Sequence, residues 1–258
     1  MSPESSTPTP PHRRRGIYLL PNLFTTAALF AGFYAIIAAI NNRFEAAAVA
    51  IFIAMVLDGL DGRIARLTNT QSHFGAEYDS LSDLVSFGLA PALVMYEWSL
   101  SSLGKLGWLA AFVYTAAAAL RLARFNVYVG KIDKAYFQGL ASPASAAVMA
   151  GLVWVATDYQ IAGETLNYLA LIITVSMSFL MVSNIRFRSF KDIDRDKVPF
   201  MSILLIVIVI VLIASSPSQM LFGTFLLYAL SGVVMSVLQL LRGKRSAGEA
   251  QKQPPPVE

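Results

Sequence analysis

The chain has 258 residues, 56% of them hydrophobic and only 14% charged, and no cysteine. A mean hydropathy of +0.58 is too apolar for an ordinary soluble domain; the composition predicts an integral membrane protein and excludes disulfides and thiolate metal sites. The formal charge of +4 calls for no nucleic-acid partner, because basic residues flanking apolar segments are held by anionic lipid.

Residues 1–12 are rich in Pro, Ser and Thr and are expected to be a disordered tail. After Arg13, Arg14 and Arg15, the stretch Gly16–Asn22 predicts a short interfacial helix, and the apolar run beyond it is too long for a cleaved signal peptide. Eight segments of spanning length follow, near residues 20–41, 44–64, 78–100, 105–125, 142–160, 165–185, 198–214 and 218–241. With the N-terminus in the cytoplasm, only Arg43 and Lys105 of the 20 Lys and Arg residues fall on the outer side. That partition predicts an all-α integral membrane protein with about eight transmembrane helices and both termini cytoplasmic. The expected organisation is one polytopic membrane unit over 13–245 and a disordered, Pro-rich tail over 246–258.

The second and third segments carry the chemistry. Between Asp58 and Arg66 the chain reads D-G-L-D-G-R-I-A-R, and between Gly75 and Asp83 it reads G-A-E-Y-D-S-L-S-D. Asp58 and Asp61 are three apart and Asp79 and Asp83 four apart, so on helices each pair shares a face. The connection from Leu67 to Phe74 is short and polar, which sets the two pairs on adjacent antiparallel helices near the cytoplasmic surface. Four carboxylates that close demand cations, and oxygen ligands without His or Cys favour hard divalent ions such as Mg2+ or Mn2+. Two such ions can clamp a diphosphate, for which Arg63 and Arg66 are candidate grips. Gly59, Gly62, Ala65 and Gly75 offer small surfaces where a ligand can approach the backbone. As simple interfacial ion pairs, four carboxylates interleaved with glycines would be a costly arrangement.

Asp58, Asp61, Gly62, Ala65, Arg66, Gly75, Asp79 and Asp83 match every fixed position of D-x2-D-G-x2-A-R-x8-G-x3-D-x3-D. In this the chain resembles the CDP-alcohol phosphatidyltransferase family. The resemblance implies that family's membrane fold and a dimetal enzyme in which an alcohol displaces CMP from a CDP-linked lipid. Carried over, it makes Asp58, Asp61, Asp79 and Asp83 metal ligands for two Mg2+ or Mn2+ ions, and Asp83 also the general base toward the acceptor hydroxyl. It further implies CDP contacts from Gly62, Ala65, Arg66 and Gly75, with Asn22 and Thr25 in P-N-L-F-T as additional nucleotide-side positions.

Three further stretches, Ser80–Ala92, Arg121–Asn126 and Tyr136–Ala144, resemble the branch of the family that uses serine, except that Ala141 stands where a proline is expected. The partners implied are CDP-diacylglycerol, L-serine and membrane lipid, in a bacterial cytoplasmic (inner) membrane, with a homodimer suggested. Serine's carboxylate suits a guanidinium, so Arg121 or Arg124 is expected to hold it and Asn126 to add a hydrogen bond; as an alternative both arginines are positive-inside anchors. Other acceptors, glycerol 3-phosphate or an inositol derivative, fit the same signature. A secondary transporter would place its carboxylates near the midplane of internal repeats, which this pattern lacks. The mixed-charge run Arg186–Lys197 is expected to be a solvated loop, and His12 and His73 are isolated surface residues.

Overall fold

The computed structural model describes residues 19–68, 70, 72–128, 136–188, 208 and 210–250. In chain order these form α1 (Leu19–Ile40), α2 (Phe44–Leu67), α3 (His73–Asp83), a π-helical segment (Leu84–Leu89), α4 (Ala90–Trp98), α5 (Lys105–Tyr128), β1 (Tyr136–Gln138), α6 (Ser142–Asp158), α7 (Asn167–Val182), β2 (Arg186–Arg188) and α8 (Pro217–Ala250). Among the described residues the regular structure is helical apart from one antiparallel ribbon, in which Phe137 pairs with Phe187. Part of the expected solvated loop is therefore a strand.

Without a hydrophobic force between helices in lipid, close packing of small residues has to hold the bundle together. The α1–α2 seam supplies it with Ala31, Ala35, Ala38 and Ala39 facing Ala47, Ala48, Ala50 and Ala54, all buried. Between α1 and the π-helical segment the approach is closer still: a Cβ on Gly32 would lie 2.7 Å from the Cα of Ser86, so only glycine fits there. Helix α6 is the centre of the molecule, packed by α2 and α8 and buried along most of its length. Phe52 of α2 tilts against Trp154 of α6 and Phe225 of α8, with ring centroids 5.8 and 6.4 Å away.

Four described segments are long and apolar enough to cross a membrane: Pro21–Ile40, Lys105–Val127, Gly163–Val182 and Pro217–Met235. The other expected spans differ for physical reasons. Helix α2 carries Glu45 in its first turn and its other charged residues in its last turns, and α6, at 17 residues, rises only about 25 Å and is enclosed by its neighbours. The expected third span is one continuous helical run broken in register by the π-helical segment. Most of the expected 198–214 span lies outside the described residues, of which 210–215 are helical. Of the stretch expected to form an interfacial helix, Leu19–Asn22 belong to α1 and 16–18 lie outside the described residues. Helix α8 continues to Ala250, past the expected boundary at 245.

The π-helical segment follows from Pro91. Proline has no N–H, so the carbonyl of Phe87 four residues earlier loses its helical donor. The buried Tyr114 hydroxyl of α5 donates to that carbonyl instead, at 3.1 Å. The looser winding begins immediately after Asp83 and sends Ser86 Oγ to the carbonyl of Ala28 on α1, at 3.1 Å. Such π insertions in α-helices are frequent at functional sites.

Candidate active site

At the end of α2 and the start of α3, hydroxyl side chains bond to nearby backbone groups. Thr68 Oγ1 donates to the carbonyl of Ile64 at 2.7 Å, and Ser72 caps α3 by accepting from the Gly75 N–H at 3.0 Å. His73, expected in the connecting loop, is instead the first residue of α3 and is exposed. The two helices return antiparallel, and their carboxylates meet.

One oxygen from each of Asp58, Asp61 and Asp79 lies within 4.8 Å of the others. Asp83, one turn beyond Asp79, shares a side-chain hydrogen bond with Asp58 and interacts electrostatically with Arg121 of α5. Asp61 is the most enclosed, at 5% exposure, and accepts a 2.6 Å hydrogen bond from Thr25 Oγ1 of α1. Asp79 Oδ1 is buried without a hydrogen-bond partner among the described residues. A buried carboxylate oxygen without a donor is costly, and a hard cation is what an all-oxygen set of this kind accepts. The residues present therefore fit a divalent metal.

Beside the cluster the surface is open. A Cβ at Gly59 would meet nothing within 4 Å, and one at Gly62 would meet only Arg66 Nη1 at 3.6 Å. Arg63 and Arg66 are both exposed, and Arg66 interacts electrostatically with Asp61. Ala65 is half-buried on the same helix. The Asn22 side chain of α1 comes close to Gly75, whose Cβ position lies 3.5 Å from Asn22 Oδ1. Thr26 Oγ1 and the Tyr78 hydroxyl are 2.9 Å apart, and the Tyr78 ring stacks on Phe74 at a centroid distance of 6.0 Å. The first span thus meets the third at the edge of the cluster.

The residues expected to hold an acceptor separate. Arg121 Nη1 donates to Ser142 Oγ at 2.7 Å, its Nε is buried without a partner among the described residues, and it interacts electrostatically with Asp83, Arg124, Tyr114 and Tyr228. Arg124 points elsewhere: it donates to the carbonyls of Val182 and Ser183 at 3.2 and 3.3 Å and to Asn184 Oδ1 at 3.3 Å, closing the C-terminal end of α7. A cation there also complements the helix dipole. Asn126 donates to Ser80 Oγ at 3.1 Å, next to Asp79 in sequence. The Ala141 backbone holds φ −63° and ψ 137°, a geometry a proline would share, and it leads directly into α6. Gly139 just before it has φ +80° and approaches the carbonyl of Met181, which ties this turn to the end of α7.

Sequence reasoning missed Tyr228 of α8, Tyr78 and the direct tie from Thr25 to Asp61. Tyr228 carried no local signal, because nothing in the sequence says that the last helix returns to Arg121. Pro91, with Ser86 and Gly88 before it, was a readable sign that the third helix changes its winding after Asp83.

A membrane-embedded helical bundle with clustered carboxylates, an open glycine surface and flanking guanidiniums belongs to the class of metal-dependent enzymes that work on lipid-linked phosphates. The chain belongs to the CDP-alcohol phosphatidyltransferase family, whose family model matches residues 18–182. It is 33% identical over 231 residues to a CDP-diacylglycerol–serine O-phosphatidyltransferase of Helicobacter pylori, covering 90% of this chain and 98% of that one. A protein of the same name from Bacillus subtilis is 35% identical over 173 residues, 67% of this chain and 91% of its own. One from Mycobacterium tuberculosis is 38% identical over 182 residues, 68% of this chain and 63% of its own.

Proposed function

We propose that this protein transfers the phosphatidyl group of CDP-diacylglycerol to the hydroxyl of L-serine, forming phosphatidylserine and releasing CMP. The observation that carries this reading is that Asp83 contacts Asp58 of the carboxylate cluster and interacts electrostatically with the Arg121 guanidinium. Serine bears its hydroxyl and its carboxylate on adjacent carbons, so one molecule can present the hydroxyl to Asp83 and the carboxylate to Arg121. The names of the relatives point the same way.

Asp58, Asp61, Asp79 and Asp83 would hold two divalent ions, Mg2+ or Mn2+, which supply Lewis-acid charge for the diphosphate oxygens. Gly62, Ala65, Gly75 and Asn22 line the surface offered to the CDP moiety, and Arg66 grips its phosphates. Asp83 accepts the proton of the serine hydroxyl as oxygen attacks the phosphatidyl phosphorus. The bond from that phosphorus to the CMP oxygen breaks, and CMP departs. Eight spans, cytoplasmic termini and a site opening to the cytoplasm of a bacterial inner membrane complete the reading, supported by the one-sided distribution of Lys and Arg.

The test is CMP release by the purified chain with CDP-diacylglycerol, Mg2+ or Mn2+ and a panel of alcohols. Release is expected with serine and not with glycerol 3-phosphate or inositol derivatives. Release with one of those alone would reassign the acceptor. A phosphorylated acceptor calls for more cationic groups near Asp83, and Arg124 is already engaged by α7.

The CDP surface has its own prediction. An alanine at position 62 meets only the flexible end of Arg66, and helix propensity favours it by about 1 kcal/mol. Gly62→Ala is therefore expected to leave the melting temperature unchanged or higher while raising the KM for CDP-diacylglycerol roughly tenfold, about 1.4 kcal/mol. An unaltered donor KM would remove Gly62 from that surface.

A further inference from the structure

We infer that Thr25 is a positioning residue for the metal site, holding Asp61 of α2 with its hydroxyl and the Asp83 end of α3 through its carbonyl. The inference rests on the metal-dependent reading above. Helix α1 contributes no carboxylate, yet it touches both aspartate-bearing helices at this one residue. Thr25 is 4% exposed, and its Oγ1 stands 2.6 Å from Asp61 Oδ2 and 3.2 Å from the carbonyl of Pro21. A hydroxyl has one proton to give, and an ionised carboxylate has none, so the short contact is Thr25 donating to Asp61. The Thr25 carbonyl in turn accepts from Ser82 Oγ at 3.1 Å, and Ser82, 2% exposed, is the residue before Asp83.

The consequence is geometric. Asp61 Oδ2 is held by the threonine, which restricts the rotation of the carboxylate within the group it forms with Asp58 and Asp79. Outer hydrogen bonds of this kind orient metal-binding carboxylates, and their loss typically weakens metal affinity roughly 10- to 100-fold. Because Thr25 is enclosed between α1, α2 and α3, no water can replace its hydroxyl without rearrangement of the helices. A direct contact between Thr25 and the CDP moiety is the competing role.

The experiment uses the full chain in detergent and follows Mn2+ binding without substrates, by the loss of the free-ion paramagnetic signal. Thr25→Val keeps the shape and removes the donor; it is expected to raise the Mn2+ Kd at least roughly tenfold in a chain that still folds, with a melting temperature lowered by the unpaired Asp61 oxygen. Thr25→Ser keeps the donor and is expected to bind as wild type, while Thr25→Ala repeats the loss seen with valine. Asp61→Asn marks the scale of a removed ligand. Wild-type Mn2+ affinity in both Thr25→Val and Thr25→Ala would overturn the inference, as would unchanged Mn2+ affinity with a raised KM for CDP-diacylglycerol, which would assign Thr25 to the nucleotide. Failure of the wild-type chain to bind Mn2+ would overturn the metal reading itself, and the role of Thr25 with it.

Discussion

Asp83→Asn is expected to lower kcat at least roughly a thousandfold while leaving the affinity for CDP-diacylglycerol within a few-fold of wild type. The amide has the carboxylate's volume and can still face Asp58, but it cannot accept a proton from an attacking hydroxyl. Asp83 is the member of the quartet that stands outside the tight triad of Asp58, Asp61 and Asp79 and closest to the acceptor side, where Arg121 lies. Substitutions in the triad should behave differently, with Asp58→Asn and Asp79→Asn raising the metal concentration needed for half-maximal rate. CMP release measured across Mn2+ concentrations, together with donor binding followed by titration, separates the two patterns. Turnover of Asp83→Asn near the wild-type rate would remove Asp83 as the base, and full rescue by excess Mn2+ would make it a metal ligand only.

The carboxylate quartet could be read from the sequence because its information is local. Spacings of three and four residues place side chains on one helical face whatever the rest of the chain does, and a short polar connection leaves two helices little choice but to run back antiparallel. The small residues of α1 and α2 were legible for the same reason, as continuous stripes. What the sequence could not convey was contact between distant segments. Arg121 and Arg124 are one turn apart and chemically identical, yet one faces Asp83 and the other closes α7, a difference set by where α6 and α7 lie. The span count was partly hidden too: the apolar surface of α6 meets protein on nearly all sides, and composition alone does not separate a helix enclosed in a bundle from one facing lipid. Thr25 illustrates the limit most sharply. A threonine beside an asparagine near the start of a helix has many ordinary uses, and only the fold brings its hydroxyl to a carboxylate 36 residues away.

That difference between the two arginines leads to the second large effect. Arg121→Lys is expected to raise the KM for serine roughly 10- to 100-fold and to change the KM for CDP-diacylglycerol much less, because an ammonium cannot reproduce a two-pronged grip on a carboxylate. Arg121 is already oriented for it: Nη1 is anchored on Ser142, Nε is buried without a partner among the described residues, and the guanidinium lies beside Asp83. Arg124→Lys provides the contrast. Its guanidinium bonds to backbone carbonyls at the end of α7, so its loss is expected to lower the melting temperature and leave serine's KM near the wild-type value. Serine and donor kinetics of both variants, with thermal unfolding of each, decide the assignment. An unchanged serine KM in Arg121→Lys would remove Arg121 from the acceptor site. A raised serine KM in Arg124→Lys alone would move serine's carboxylate to the α7 end of the pocket, where Arg124 meets Asn184.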